Sequence, residues 1–158
     1  MLSDPITTAE KSTLVFPPIL SPAQAARMLD RTIGAAYHWP ASGKFDGASR
    51  VRGKHRFYWR DRLVAGMHGE TFRAAADGSI RLHESEIIAS FAAPSAEEAF
   101  PPFASVDTVA KFLGVGRSTI FRWKALRHLD DTFVQRRDGI RFIRLPFMLS
   151  LFNGKDWQ

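Results

Sequence analysis

Ser105-Val106-Asp107-Thr108-Val109-Ala110-Lys111-Phe112-Leu113-Gly114-Val115-Gly116-Arg117-Ser118-Thr119-Ile120-Phe121-Arg122-Trp123-Lys124 is the stretch from which the rest of the chain can be read. Asp107 is placed to cap a helix whose apolar face is Val109, Ala110 and Leu113, spaced at three and four. Gly114, tolerant of positive φ, ends it. The turn Gly114 to Gly116 leads into a second helix that starts near Arg117 or Ser118. Its spacing buries Ile120, Phe121 and Trp123 and projects Arg122 and Lys124 outward. Downstream, Thr132 to Arg137 and Ile140 to Leu145 alternate in a strand-like way around Asp138-Gly139, a pair suited to a tight hairpin turn. Pro146 fits the first turn of a last helix, Phe147 to Phe152, which Asn153-Gly154 ends.

The same pattern occurs earlier. Residues 20–39 and 104–123 align without a gap at an offset of 84. Ala25-Ala26-Arg27-Met28-Leu29 stands where the second copy has Val109-Ala110-Lys111-Phe112-Leu113, and Tyr37-His38-Trp39 where it has Phe121-Arg122-Trp123. With one residue of slippage Arg56-Phe57 falls on Arg141-Phe142, so the likeness runs about 45 residues. Ser21-Pro22 starts the first helix of this copy, Arg50 to Trp59 forms its hairpin with Gly53-Lys54 near the tip, and Asp61 to Met67 closes it before Gly69. One difference stands out: the second copy has Arg117, Ser118 and Thr119 where the first has Ile33, Gly34 and Ala35. Trp39 and Trp123 hold equivalent places, which points to a shared core role.

Between the copies, Thr71 to Ala76 and Ser79 to Leu82 surround an Asp77-Gly78 turn, and Ser85 is placed to cap a helix from Glu86 to Phe91. The expected organisation is a flexible tail over 1–18, a first unit over 19–91 that includes the extra hairpin and helix, a Pro-rich linker over 92–103, and a second unit over 104–158. The expected fold class is mainly α with small β-hairpins.

At 158 residues, 45% apolar and 24% charged, the chain has the composition of a globular protein and enough apolar surface for a core. It has no cysteine, which excludes disulfides and thiolate metal sites. No apolar run is long enough to span a bilayer, so no membrane partner is expected and the localisation read is cytoplasmic. The net charge of +6 is unevenly spread. Residues 20–62 hold nine basic and three acidic residues, residues 104–147 nine and four, and residues 66–102 two and six. Two basic blocks flanking an acidic connector suggest a polyanionic partner.

The second copy resembles the winged helix-turn-helix DNA-binding domains of the MerR, AlpA and excisionase group. The residues that carry the likeness are Ser105 to Ala110, Leu113-Gly114-Val115, Arg117 to Arg122, and Asp138-Gly139-Ile140-Arg141-Phe142; the first copy adds a weaker match. The resemblance implies two tandem winged helix-turn-helix modules that bind double-stranded DNA, in a nucleoid-associated bacterial, phage or mobile-element setting. The long carboxy-terminal dimerising helix and effector cysteines of MerR regulators are lacking, so metal or drug sensing is not implied.

In such a fold the second helix lies in the major groove, where arginine donates a bidentate pair to guanine. Arg117 and Arg122 are then the base readers, Ser118 and Thr119 contact phosphate at the helix amino terminus, and Lys124 lies on the same helix. Gln135, Arg136, Arg137 and Arg141 on one wing, and Arg50, Arg52, Lys54, His55 and Arg56 on the other, would follow the DNA backbone. The first copy either reads shape and thymine methyls through Gly34 and Ala35 or serves as an interface. A transcriptional regulator, an architectural factor of the excisionase, packaging or partition kind, and a protein-interaction adaptor are the alternatives. A homo-oligomer, or a protein partner held through the acidic connector, stays open. The five histidines are scattered, His83, Glu84 and Glu86 form the only local metal-like cluster, and no nucleophile pairs with a base. Neither catalysis, a cofactor nor a metal is expected.

Overall fold

In the computed structural model, which describes residues 16–42, 45–72, 79–154, 156 and 157, the order strand, helix, helix, strand, strand, helix occurs twice. The first unit comprises β1 (Ile19–Leu20), α1 (Pro22–Met28), α2 (Ile33–Ser42), β2 (Ser49–Arg52), β3 (His55–Trp59) and α3 (Arg60–Met67). A connector follows with α4 (Glu84–Ser90) and α5 (Pro94–Ala99). The second unit comprises β4 (Phe103–Ala104), α6 (Val106–Leu113), α7 (Arg117–Ala125), β5 (Phe133–Arg136), β6 (Gly139–Ile143) and α8 (Arg144–Phe152). The tail up to residue 15 and the Asp77-Gly78 turn lie outside the described residues.

The fold is mixed α and β, which corrects the expectation of a mainly helical one. The short strand before each first helix pairs with the second hairpin strand, giving two three-stranded antiparallel sheets of order β1-β3-β2 and β4-β6-β5. The repeat holds its offset of 84 throughout: Ile19 pairs with Trp59 and Leu20 with Tyr58, as Phe103 pairs with Ile143 and Ala104 with Phe142. The slippage inferred from Arg56-Phe57 is therefore absent. Tyr58 and Phe142 are buried at matching positions, and a one-residue slip would move each to the opposite face of its sheet. At Phe57 the second unit has Arg141.

The repeat also begins earlier than the sequence alignment, at Phe16-Pro17-Pro18 and Phe100-Pro101-Pro102. Arg60 donates from its backbone to the Pro18 carbonyl (2.8 Å) and from Nη1 to the Phe16 carbonyl (2.6 Å). Arg144 repeats both bonds, to Pro102 (3.0 Å) and Phe100 (2.8 Å). Each unit's entry strap is thus tied to the start of its last helix by an arginine. Ser21 and Ser105 cap the first helices through bonds to the Gln24 and Thr108 backbone N–H groups. Ser105, not Asp107, is the second cap; Asp107 sits in the first turn. Gly114 ends α6 with φ 69°, and Asp30 takes the same left-handed turn at the same place in the first unit, with φ 53°.

The first unit has a small core of its own: Leu20, Ala25, Ala26, Ala36, Trp39, Ala48, Tyr58 and Leu63. The larger core is common to both units. Ile19, Phe57 and Trp59 from the first, Ile80, Leu82, Ile87, Phe91 and Phe100 from the connector, and Val109, Ile120, Trp123, Phe142, Phe147 and Phe152 from the second pack into it. The stretch 92–103, read as a linker, holds α5 and the first residue of β4 and buries Ala96 and Phe100. The acidic connector is mortar between the units: Arg62 grips the Glu86 carboxylate with two bonds of 2.8 Å, while Asn153 exchanges bonds with the Leu82 backbone. Burial alone would raise the Glu86 carboxyl, but bonds from Arg62 and from the His83 backbone N–H hold it below the usual glutamate range. Glu84 starts α4, with His83 ahead of it, so Ser85 is not its cap.

Candidate nucleic-acid interface

α7 buries Ile120 and Trp123 and turns its other sides to solvent or to flanking hairpins. Arg117, Ser118 and Arg122 are exposed, Thr119 is half-buried. Phe121, expected inside, is 43% exposed, because the helix turns it away from Ile120 and Trp123 toward its own hairpin. Gly116 precedes the helix and supplies no side-chain cap, and the Thr119 N–H of the first turn donates to the Gly116 carbonyl at 3.1 Å. Trp39 and Trp123 are both core residues, 6% and 4% exposed.

The hairpin β5–β6 lies beside this helix. Ser105, Asp107, Arg117, Phe121, Gln135, Ile140 and Arg141 line a shared open groove. Lys124 is drawn into packing, with its ammonium 5.0 Å from the centre of the Phe133 ring. Two of the arginines hold exposed surface pairs: Arg117 with Asp107 at 2.9 Å and Arg141 with Asp138 at 3.3 Å. Such pairs are worth about 0–1 kcal/mol. Arg122, Arg136 and Arg137 are exposed and, among the described residues, no carboxylate pairs with any of them. Gln135 is exposed as well.

The other hairpin, β2–β3, behaves differently. Arg50 and Arg52, expected along DNA, are buried at 4% and 0% exposure. They face the carboxy-terminal end of α8, whose last carbonyls have no partner within the helix. Arg50 donates from Nε to the Phe152 carbonyl at 2.9 Å and from Nη2 to that of Gly154, and pairs with Asp156 at 3.3 Å. Arg52 donates from Nε to Leu151 and from Nη2 to Asn153 (3.0 Å), with its guanidinium 4.3 Å from the Trp157 ring centre. Burial, then the neighbouring Arg50, pushes the Arg52 guanidinium down to about 9, so it keeps its charge at neutral pH. These two arginines cap a helix of the other unit and are not available to a ligand. Arg56 is half-buried and donates to Ser49 Oγ at 3.1 Å. Lys54 at the tip is exposed and His55 half-buried, its ring edge-on to Trp123 at 6.2 Å.

The second helix of the first unit, α2, exposes Ile33, Gly34, Tyr37 and His38 where α7 exposes Arg117, Ser118, Phe121 and Arg122. The Phe-Pro-Pro straps, and the burial of Arg50 and Arg52 as helix caps, are not foreseen from the sequence. The repeated Phe-Pro-Pro at the offset of 84 was the available signal for the straps; nothing local marks Arg50 and Arg52 as different from surface arginines. The cluster His83, Glu84 and Glu86 is dispersed, with Glu86 turned to Arg62, and among the described residues no group of three His, Asp or Glu side chains gathers to hold a metal. Among the described residues no helix is long and apolar enough to cross a membrane. Set against protein-family models, curated proteins and solved structures, the chain matches none.

Proposed function

We propose that this chain is a sequence-specific double-stranded DNA-binding protein in which the second unit, a winged helix-turn-helix, reads DNA and the first supports it. The observation that carries this reading is the exposed α7 amino terminus, with Arg117, Ser118 and Arg122, standing beside a basic hairpin with exposed Arg136 and Arg137 and half-buried Arg141. In a major groove Arg117 and Arg122 donate to guanine edges, Ser118 and the first-turn N–H groups meet a phosphate, and the hairpin arginines follow the backbone. The first unit is a winged helix-turn-helix in outline whose α2 face carries no cation equivalent to Arg117. Its capping of α8 and its share of the common core make it the frame that fixes α7 in place.

The job at the DNA is transcriptional regulation; architectural action would share every contact and differ in bending the duplex. Selection of bound sequences from a random duplex library, then affinity for the winning and a scrambled duplex at two salt concentrations, tests the reading. An enriched motif with a wide specific-to-scrambled ratio is expected. No enrichment and no salt-sensitive binding would overturn it and favour a protein-interaction adaptor.

A further inference from the structure

α7 is flanked by a hairpin on each side, and only one of them belongs to its own unit. Arg117 and Phe121 line the groove shared with β5–β6, and Lys124 packs on Phe133 of that hairpin. Thr119, Arg122 and Leu126 line a second cleft whose opposite wall is Gly53, Lys54 and His55, the tip of β2–β3. At 3.6 residues per turn the stripe 117-121-124 and the stripe 119-122-126 lie roughly half a turn apart on the helix. Ser118 and Ala125 stand between them on the outermost line, opposite the buried Ile120 and Trp123.

We infer that the first unit's hairpin tip is a second phosphate clamp, with Lys54 holding the DNA backbone strand opposite the one held by Arg136 and Arg137. A helix seated in a major groove about 12 Å wide has a sugar-phosphate backbone along each flank. The two hairpins occupy those two flanks. The tip is held firmly enough to do this: the Gly53 N–H donates to the Trp157 carbonyl at 3.2 Å, and Phe57 and His55 pack edge-on against Trp123 of α7 itself. Lys54 is exposed, and no carboxylate among the described residues pairs with it, so its charge is available to a phosphate. The inference deepens the reading above and rests on it, with the new element that a residue of one unit completes the binding surface of the other.

The test uses the full chain and a duplex carrying single neutral methylphosphonate linkages placed in turn along each strand. In wild type, each linkage that a cation contacts weakens binding. Lys54→Ala is expected to weaken binding three- to ten-fold on selected and scrambled duplex alike, to lower the slope of log affinity against log salt by about one, and to silence linkages on one strand. Arg136→Ala is expected to silence linkages on the other strand. Unchanged affinity and slope for Lys54→Ala in a chain that binds DNA would overturn the inference while leaving the proposed function standing, and so would silencing by both variants on the same strand. Failure of the wild-type chain to bind any duplex would overturn both.

Discussion

The two hairpins share one register and have opposite fates. On the face that carries Arg50, Arg52, His55, Phe57 and Trp59 in the first unit, the second carries Val134, Arg136, Gly139, Arg141 and Ile143. In the first unit that face is covered by α7, the end of α8 and Trp157; in the second, Arg136 is exposed and Arg141 half-exposed. Ile19 is 2% exposed and its counterpart Phe103 59%, for the same reason. An arginine in a hairpin therefore has no fixed meaning. Where unsatisfied helix carbonyls face it, it becomes a cap; where solvent faces it, it is free to meet a polyanion. The second helices diverge in parallel, with a neutral surface on α2 and a basic one on α7.

The contrast can be broken most sharply at Arg52 and its counterpart. Arg52→Ala removes a fully buried charge and leaves carbonyls of α8 without donors, so urea unfolding should show a loss of about 3 kcal/mol. Arg136→Ala should stay within about 0.5 kcal/mol in the same experiment. Equal losses would erase the distinction between cap and clamp. Next in size, Arg117→Ala and Arg122→Ala should each cost about 1–3 kcal/mol of binding on the preferred duplex and relax the sequence preference, read from competition with single-base variants. Neutralising Arg136 and Arg137 together should weaken binding to every duplex about equally and flatten the salt slope by about two. If the two pairs act alike, readers and clamps are not separate.

A smaller effect concerns the seam between the units. His128 stacks on Trp157 with ring centres 4.3 Å apart, and burial, then the nearby Arg52 charge, lowers its pKa. The neutral imidazole is favoured in the folded chain, so stability is full above the ordinary histidine value of about 6.5 and declines as the pH falls through it. Urea midpoints at several pH values should show this decline, and His128→Phe should remove it. Smallest of all, Ile33→Arg on the exposed α2 face should change stability by under about 0.5 kcal/mol and leave the preferred duplex unchanged. A new or stronger preference would give α2 a reading role.

Much of this was legible in the sequence because it rests on local physics. The spacing of Val109, Ala110 and Leu113, the turn at Gly114 and the tight turn after Arg137 place α6, α7 and β5–β6 within a few residues of where they stand. Equivalent tryptophans marked the two cores. What escaped depends on the other unit. Phe57 in place of Arg141 records a covered sheet face, but without a partner in view it reads as one more alternation. The short strands β1 and β4 have no periodicity of their own and exist because β3 and β6 offer them a free edge. Pro94, Pro101 and Pro102 suggest a linker by composition, yet Pro94 opens α5 and the Pro101-Pro102 pair forms the strap that Arg144 ties down.

The most direct test of the asymmetry is to titrate the labelled chain with its selected duplex and follow every backbone amide by NMR. Shifts are expected over residues 116–122 and 135–141, with a smaller set at the Gly53-Lys54 tip and none over Ile33 to His38. Shifts centred on Ile33 to His38, or shifts on neither helix, would contradict the asymmetry.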